Sequence, residues 1–393
     1  MWRRFCILPR YRTASRQEKK RIPDEFCINC GYHRKYAIRL LNSSVKTRRK
    51  TPRKRGPKAR YDAPQILQVI MDFWKRTNLP CSKRLKVILQ LWLPFYPYYL
   101  PAHIEEKLHT ISPATIDRLM SPMRKRASKI GLPTTKPGSI LKKHIPINAN
   151  QWDETRPGFL EADTLAHCGS SVAGSFIYTL NCVDIATGWH IQRAVWGKGQ
   201  RGIISAIQSM EEALPFPIRE FDCDNGSEFL NWHLLRHFSK RKQPIQFTRS
   251  RPYHKNDNAH IEEKNWSVIR QYLGYQRFDQ PQLLPMLNDL YSTEWYDYFN
   301  FFIPSMKLVN KYRKEAQIKK LYDTPKTPYQ RIMESHHIPE ATQKALTAHF
   351  QQLNPIHLQE KMFKKIKQII FIANKHPETI HPSNERNPSY EQQ

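Results

Sequence analysis

The sequence predicts a central α/β domain at residues 158–275, with a mixed five-stranded sheet flanked by helices. All-α helix-turn-helix regions precede this domain, and a small helical region follows it. Apolar runs bounded by glycine-containing turns are typical of strands, and they occur at 158–166, 175–183 and 189–196. Two shorter apolar runs then alternate with helical stretches, at 218–223 and 245–248 against 202–213, 228–240 and 259–272. Meandering strands followed by alternation favour a mixed sheet covered by helices.

Charge is the strongest compositional signal. The 393 residues include 64 lysine and arginine residues against 34 aspartate and glutamate residues, a formal net charge of +30. Residues 1–60 hold 20 basic and 3 acidic residues, a net charge of +17, whereas residues 158–275 hold 13 and 12. Basic flanks around a near-neutral core predict a protein that binds double-stranded DNA and acts on it with the core. A generally basic protein without a polyanion partner is the less favoured interpretation.

Residues 1–45 have the pattern of a helix-turn-helix DNA-binding region. Ser15-x-x-Glu18 is a capping box at the start of one helix, and Asn29-Cys30-Gly31 predicts a turn. The helix after the turn mixes apolar and basic positions, as recognition helices do. Its candidate DNA contacts are Arg34, Lys35 and Arg39. Cys27-x-x-Cys30-x-x-His33 lacks a fourth ligand nearby, which disfavours a zinc site.

A basic linker at 46–62 joins this region to a second helical region at 63–127. In the linker, Arg53, Lys54 and Arg55 are candidate DNA contacts, and Arg55-Gly56-Pro57-Lys58 is a candidate for insertion into the minor groove, although a solvated arm that touches only phosphates is favoured. The second region has apolar residues at helical spacing, and Thr115 and Arg118 are its candidate DNA contacts. A purely structural bundle is the alternative. Residues 128–157 are a second linker.

Three carboxylates stand out in the central domain. Asp163 lies on the first predicted strand, Asp224 at the end of the fourth, and Glu262 on the last helix. Open α/β sheets place functional groups at strand ends. Asp222 is the alternative to Asp224, and Glu263 is the alternative to Glu262. Asp184 is interpreted as a turn or hydrogen-bonding residue.

Three such acids suit phosphodiester chemistry. In-line attack on phosphorus builds negative charge on oxygen, and two metal ions about 3.5–4 Å apart can stabilise it. Hard oxygen ligands favour Mg²⁺ or Mn²⁺. We therefore expect Asp163, Asp224 and Glu262 to be both catalytic residues and metal ligands for two ions. Nearby candidates for DNA contact are Arg251, Lys255, Lys264, Asn265 and Arg270.

The C-terminal region at 276–375 is aromatic and basic. The aromatic cluster from Trp295 to Phe302 is expected to pack against the core, and the basic stretch 307–320 is expected to be helical. Residues 376–393 are expected to form a disordered tail. The seven scattered cysteines, without a signal-like or membrane-length segment, predict reduced thiols and a cytoplasmic, nucleoid-associated protein.

Residues 159–275 resemble the retroviral-integrase catalytic core shared with bacterial insertion-sequence transposases of the D,D,E class. The matching stretches are Glu161-Ala162-Asp163-Thr164, Asp224-Asn225-Gly226-Ser227-Glu228-Phe229 and Ala259-His260-Ile261-Glu262-Glu263-Lys264-Asn265. The resemblance implies a ribonuclease H-like fold, Mg²⁺ dependence, and strand cleavage and transfer at the ends of a mobile element. The two-His, two-Cys zinc module of retroviral integrases is not matched, so end recognition is assigned to the helix-turn-helix regions.

The function expected from the sequence is a DNA transposase that works as a homodimer or a larger homo-oligomer on DNA. The alternative is a catalytically inactive DNA-binding protein derived from a transposase, which the three intact acids disfavour. A nuclease acting on RNA–DNA hybrids is disfavoured by the basic helical regions.

Overall fold

A computed structural model describes residues 2–42, 60–61, 63–127, 155–223, 229, 232–249, 259–314 and 317–375. The chain divides into two compact units, Met1–Arg60 and Tyr61–Gln393. The predicted basic linker between 46 and 59, the linker at 128–154 and the tail at 376–393 lie outside the described residues.

The first unit contains three helices, α1 (Trp2–Thr13), α2 (Glu18–Cys30) and α3 (Arg34–Asn42). The predicted capping box is formed, because Ser15 and Glu18 exchange backbone-to-side-chain hydrogen bonds. Gly31 ends α2 with φ of 67°, a left-handed conformation that glycine adopts without strain. A small core joins the three helices and consists of Tyr11, Ile22, Phe26, Ala37 and Leu41.

The second unit begins with four helices, α4 (Pro64–Arg76), α5 (Ser82–Trp92), α6 (Ala102–Thr110) and α7 (Pro113–Ala127). Their apolar faces belong to the same hydrophobic cluster as the central sheet and the C-terminal helices. Trp92, for example, is fully buried and its ring packs edge-on against Tyr298. The region at 63–127 is therefore packed into the larger unit and has no separate core.

The central domain contains a five-stranded sheet. Its elements, in chain order, are β1 (Phe159–Ala166), β2 (Ile177–Asp184), β3 (His190–Trp196), α8 (Gln200–Ala213), β4 (Glu220–Cys223), α9 (Trp232–Ser239), β5 (Gln246–Arg249) and α10 (Ala259–Lys264). A π-helical segment, Asn265–Arg270, and α11 (Gln271–Leu273) continue α10. The strand order is β3-β2-β1-β4-β5. Strand β2 runs antiparallel to both of its neighbours, β1 and β3, and β4 and β5 run parallel to β1. This order confirms the mixed, ribonuclease H-like sheet.

The C-terminal region packs against the central domain. It contains α12 (Leu283–Ser292), α13 (Glu294–Asp297), a π-helical segment (Tyr298–Phe302), β6 (Leu308–Lys314), β7 (Gln317–Tyr322), α14 (Pro328–Glu334), α15 (Glu340–Gln351) and α16 (Pro355–Asn374). Of these elements, α12 and α13 are in contact with β3. The aromatic cluster packs in the core as expected, and Trp295, Tyr298 and Phe301 are fully buried.

The helix expected at 307–320 is wrong, because this stretch forms the two antiparallel strands β6 and β7. The stretch contains Val309, Tyr312 and Ile318, and β-branched and aromatic residues such as these favour strands. The ribbon distributes the basic residues over two strands.

Two asparagines cover the outer edge of the sheet. The side chain of Asn300 accepts a hydrogen bond from the His190 N–H (3.0 Å) and donates one to the His190 carbonyl (2.9 Å). Asn288 makes the same pair of bonds with Ala194, at 2.8 and 3.0 Å. These amides take the place of a further strand beside β3 and prevent an open edge there.

We expect Asn300→Ala to lower the free energy of unfolding by roughly 2–4 kcal/mol, because it leaves a buried N–H and a buried carbonyl without their partner. Asn288→Ala is the matched variant. Asn288 is only half-buried, so in the Asn288→Ala variant water can bond to the N–H and carbonyl of Ala194. The decrease in the free energy of unfolding should therefore be smaller. Urea denaturation of both variants measures the difference. An equal or smaller loss for Asn300→Ala would contradict this assignment.

Candidate active site

Asp163 lies on β1, the middle strand of the sheet, and its side chain is half-buried. Its register partner on β2 is Asn181, and the register partner of Asn181 on β3 is Gln192. These three polar residues therefore form one row across three strands. Residues directly opposite each other point to the same face of a sheet, so the row marks a polar face.

A directional chain of hydrogen bonds follows this row. The Gln192 amide donates to Asn181 Oδ1 (2.7 Å), and the Asn181 amide donates to Asn265 Oδ1 (2.8 Å). The Asn265 amide then donates to Asp163 Oδ2 (2.6 Å). Every amide in the chain presents its N–H₂ group toward the carboxylate, as an ionised acceptor requires. The chain therefore fixes the orientation of the Asp163 carboxylate.

The helix that supplies Asn265 is tied to β1 at a second point. Glu161, two residues before Asp163 and only 3% exposed, accepts a hydrogen bond from the Ile261 N–H through Oε2 (3.1 Å). Ile261 lies in the first turn of α10, where backbone N–H groups lack helical partners. The helix then widens into the π-helical segment that begins at Asn265. Such segments are frequent at functional sites.

Glu262 belongs to α10, the helix that packs over β1 and β2, and only its backbone is described. It directly follows Ile261, which bonds to Glu161, and it lies three residues before Asn265, which bonds to Asp163. Asp224 is outside the described residues. Cys223, the residue before it, is paired with Ala162, the residue before Asp163, on parallel strands.

The alternative acid Asp222 is buried within the sheet. It is 2% exposed, accepts a hydrogen bond from the Thr248 hydroxyl (2.6 Å), and is the register partner of Glu161. Glu263, the other alternative, is exposed on α10 and lies 3.8 Å from the Lys264 ammonium group.

Asp184 has the structural role that the sequence suggested. It is fully buried and accepts hydrogen bonds from the Gly158 N–H (2.8 Å), the Thr187 N–H (2.8 Å) and the Thr187 hydroxyl (2.6 Å). Burial raises the pKa of its carboxyl to about 6, although these hydrogen bonds oppose the shift. Asp184 thus closes the turn after β2.

Three residues predicted to contact DNA are partly buried and bond or pack within the domain. Asn265 bonds to Asp163 and Asn181, as described above. Arg270 donates to the carbonyls of Ala166 (2.8 Å) and Gly274 (3.1 Å) and lies over the Tyr275 ring. The Lys264 side chain is 11% exposed. Burial lowers the pKa of its ammonium group, with Arg84 and Arg331 adding repulsion and Glu263 opposing the shift.

The other predicted DNA contacts differ in exposure. Lys35, Arg39 and Arg118 are exposed, whereas Thr115 is half-buried and accepts a hydrogen bond from Arg118 (3.1 Å). Arg34 is ion-paired with Asp24 at 2.6 Å. Five candidates lie outside the described residues, namely Arg53, Lys54, Arg55, Arg251 and Lys255.

Sequence reasoning missed Glu161, Asn181 and Gln192 as parts of the site. A signal for two of them was present, because polar residues recur at every second position in otherwise apolar strands, at Thr179 and Asn181 and at His190 and Gln192. That period is the period of one strand face. The finding indicates that the face of the sheet under α10 is polar.

Among the described side chains, no three histidine, cysteine, aspartate or glutamate residues converge in a group able to hold a metal ion. Two of the three predicted ligands, the side chains of Asp224 and Glu262, are not among those side chains. No helix within the described part of the chain has the length and apolarity needed to cross a membrane.

Solved structures with a similar fold are retroviral integrases, and the similarities are weak. A simian T-cell lymphotropic virus intasome, in complex with PP2A regulatory subunit B56 gamma, is 18% identical and covers 60% of this chain and 70% of its own, with a TM-score of 0.33. The HTLV-2 integrase catalytic core domain, in complex with magnesium, is 16% identical over 44% of this chain and 96% of its own, with a TM-score of 0.29. The BIV integrase core is 14% identical over 46% of this chain and 96% of its own, also with a TM-score of 0.29. Because these scores are low, the fold assignment rests on the strand order.

No family model matches the sequence. A curated relative, the uncharacterized protein y4rM of Sinorhizobium fredii, is 36% identical over 331 residues, which cover 83% of this chain and 93% of that protein. An identity of this size over nearly the full length of the relative indicates common descent and a common fold. The chain therefore belongs to the same family as y4rM of Sinorhizobium fredii.

Proposed function

We propose that this protein is a DNA transposase of the D,D,E class, which cuts and joins DNA strands at the ends of a mobile element. Asp163, Asp224 and Glu262 are its catalytic acids. The active form is a homodimer or larger homo-oligomer on DNA, because transposition acts on two ends at once and two-fold assemblies are the commonest.

The observation that carries this proposal is the convergence of three chain segments on Asp163. The helix that contains Glu262 donates a hydrogen bond to Asp163 through Asn265. The strand that precedes Asp224 is paired with the strand of Asp163, with Cys223 opposite Ala162. The segment that leads to Asp224 and the helix that contains Glu262 thus both lie beside the strand of Asp163, which supports the assignment of the three acids to one site.

The donor chemistry fits a hard divalent cation. Carboxylate oxygens are the ligands that Mg²⁺ and Mn²⁺ prefer. Two more carboxyl groups lie on the same strands, since Glu161 precedes Asp163 by two residues on β1 and Asp222 is the register partner of Glu161. A nearby positive charge favours the ionised form of a carboxyl group, so a cation held at Asp163 would stabilise them. We assign Asp163, Asp224 and Glu262 as the residues that would hold it.

The side chains of this protein would then have separate tasks. When bound, Mg²⁺ or Mn²⁺ activates the attacking oxygen and stabilises the leaving oxygen. Asn265 holds the Asp163 carboxylate in one orientation, and Asn181 and Gln192 hold Asn265. Glu161 fixes the first turn of α10, which sets the distance between the strand of Asp163 and the helix of Glu262. The exposed cations of the first unit, Lys35 and Arg39, would bind the ends of the element.

The direct test is a strand-transfer assay. With Mg²⁺ or Mn²⁺, the full chain should join the 3′-hydroxyl of a pre-cut element end to a target duplex. Ca²⁺, which tolerates looser coordination, should support DNA binding with little joining. Joining in EDTA would contradict the metal mechanism. DNA binding without joining in any metal would favour the inactive, transposase-derived DNA-binding protein.

The three acids are tested by isosteric variants. Asp163→Asn, Asp224→Asn and Glu262→Gln should each reduce strand cleavage below detection, because each removes a metal-binding charge and keeps the side-chain shape. DNA binding should stay equal or improve, since less negative charge faces the phosphates. Glu263→Gln is the matched control, on the same helix and exposed. Loss of cleavage in Glu263→Gln with activity retained in Glu262→Gln would show that the register is off by one residue.

The hydrogen-bond chain generates a further prediction. Asn265→Ala should lower the rate of joining by roughly 10–100-fold, as is usual when a residue that orients a ligand is removed, and it should raise the Mg²⁺ concentration needed for half-maximal rate. Asn265→Asp should lower the rate of joining more than Asn265→Ala does. It should also shift the pH profile of the reaction upward, because a second carboxylate raises the pKa of Asp163.

Ser267→Ala, on the same π-helical segment, is the control for the Asn265 variants. It should leave the Mg²⁺ requirement unchanged. Thermal denaturation of all three variants separates a positioning role from a general loss of stability. A stable Asn265→Ala variant with an unchanged Mg²⁺ requirement would contradict the positioning role.

A further inference from the structure

The β6–β7 ribbon, Leu308–Tyr322, is a two-stranded sheet separate from the five-stranded sheet. An isolated two-stranded hairpin is only marginally stable in water, so the ribbon depends on contacts with the rest of the domain for its stability. Its base is anchored by hydrogen bonds from the Lys307 N–H to Asp323 Oδ1 (2.7 Å) and from the Asp323 N–H to the Lys307 carbonyl (3.0 Å). Arg331, whose side chain is 9% exposed, pairs with the same Asp323 at 2.6 Å. The base is therefore held by a partly buried ion pair.

The two strands of the ribbon have an unusual composition. They contain five lysine and arginine residues and no aspartate or glutamate. Register pairs Lys311 with Lys320, and like charges directly opposite each other destabilise a sheet. A polyanion bound to the ribbon would remove that cost.

The exposed side chains of the ribbon combine cations with aromatic rings. Tyr312 and Tyr322 are 49% and 42% exposed, and Arg313, Lys319 and Lys320 are also exposed. A two-stranded ribbon is narrow enough to enter the major groove of B-form DNA. Cationic side chains bind phosphates, and tyrosine hydroxyls can do the same. The shape and the chemistry of the ribbon therefore match duplex DNA.

The position of the ribbon connects it to the candidate active site. A cleft of about 450 Å³ lies at its base, and its walls include Glu263 and Lys264 of α10, Arg84 of α5, and Lys320 and Tyr322 of β7. One wall thus belongs to the helix that contains Glu262. DNA lying along the ribbon would pass beside this helix.

We propose that the β6–β7 ribbon binds duplex DNA next to the strand that is cut or joined at Asp163. This proposal deepens the proposed function and rests on it only for the location of the reacting strand. Lysines on an exposed strand edge also discourage pairing with a second copy of the chain. Under that alternative the lysines protect the strand edge and do not bind DNA. Salt-dependent DNA binding and self-association distinguish the two roles.

The test uses the full chain with Lys319→Ala and Lys320→Ala combined, titrated with a duplex of about three helical turns over a series of salt concentrations. Each phosphate contact contributes about 0.9 to the slope of log affinity against log salt. We expect the double variant to reduce the magnitude of that slope by about 2 and to weaken binding at low salt. Tyr312→Ala should weaken binding with little change in slope.

The matched control is Lys361→Ala combined with Lys364→Ala, which removes the same charge from the exposed face of α16. It should leave the slope unchanged. Photo-crosslinking of the unaltered protein to a duplex that contains 5-bromouracil should label the peptide that includes residues 308–322. Equal slopes for the two double variants, or crosslinks that leave this peptide unlabelled, would overturn the proposal.

Two further outcomes separate the rival interpretations. Self-association of the Lys319 and Lys320 double variant, with an unchanged affinity for DNA, would show that the lysines only protect the strand edge and would overturn the proposal. If the unaltered protein joins no DNA in any metal while the double variant shows the smaller slope, the transposase assignment fails and the ribbon assignment stands.

Discussion

The 2.6 Å hydrogen bond from Asn265 to Asp163 is the contact on which the candidate site depends. It joins the middle strand of the sheet to the helix that contains Glu262, and it is the last bond in a chain that begins at Gln192 on the outer strand. Each amide can donate to the next oxygen in the chain only in one orientation. We therefore expect a substitution anywhere in the chain to alter the orientation of the Asp163 carboxylate. The geometry of the site is thus set by the register of three strands.

This arrangement has a cost that the surrounding fold must offset. Glu161, Asn181, Gln192 and Asp222 are each 3% exposed or less, and buried polar groups destabilise a protein unless they are hydrogen-bonded. The bonds from Ile261 to Glu161 and from Thr248 to Asp222 supply donors to the two carboxylates. The opposite face of the sheet is apolar, with Leu160, Ala162 and Phe221 buried in the hydrophobic core. The apolar face therefore stabilises the sheet, and the polar face carries Asp163 and the residues that orient it.

The C-terminal region completes the central domain in two ways. Asn288 and Asn300 satisfy the outer edge of β3, and the aromatic cluster from Trp295 to Phe302 fills the core beside it. The same region also supplies the β6–β7 ribbon and one wall of the cleft next to α10. A single segment thus contributes both to stability and to the surface that we assign to DNA.

The sequence by itself determined the order of strands and helices in the central domain, the three candidate acids and the distribution of charge. These features depend on local periodicity, on turn residues and on composition, which can be read without knowing how distant segments pair. Only the tertiary structure decided that Asn265 bonds to Asp163, 102 residues away, that Arg270 bonds to carbonyls of its own domain, and that 308–314 and 317–322 form a ribbon. Each of these depends on strand register, or on contacts between segments far apart in the chain. The residues concerned have no local pattern that distinguishes a buried hydrogen-bonding role from an exposed DNA contact.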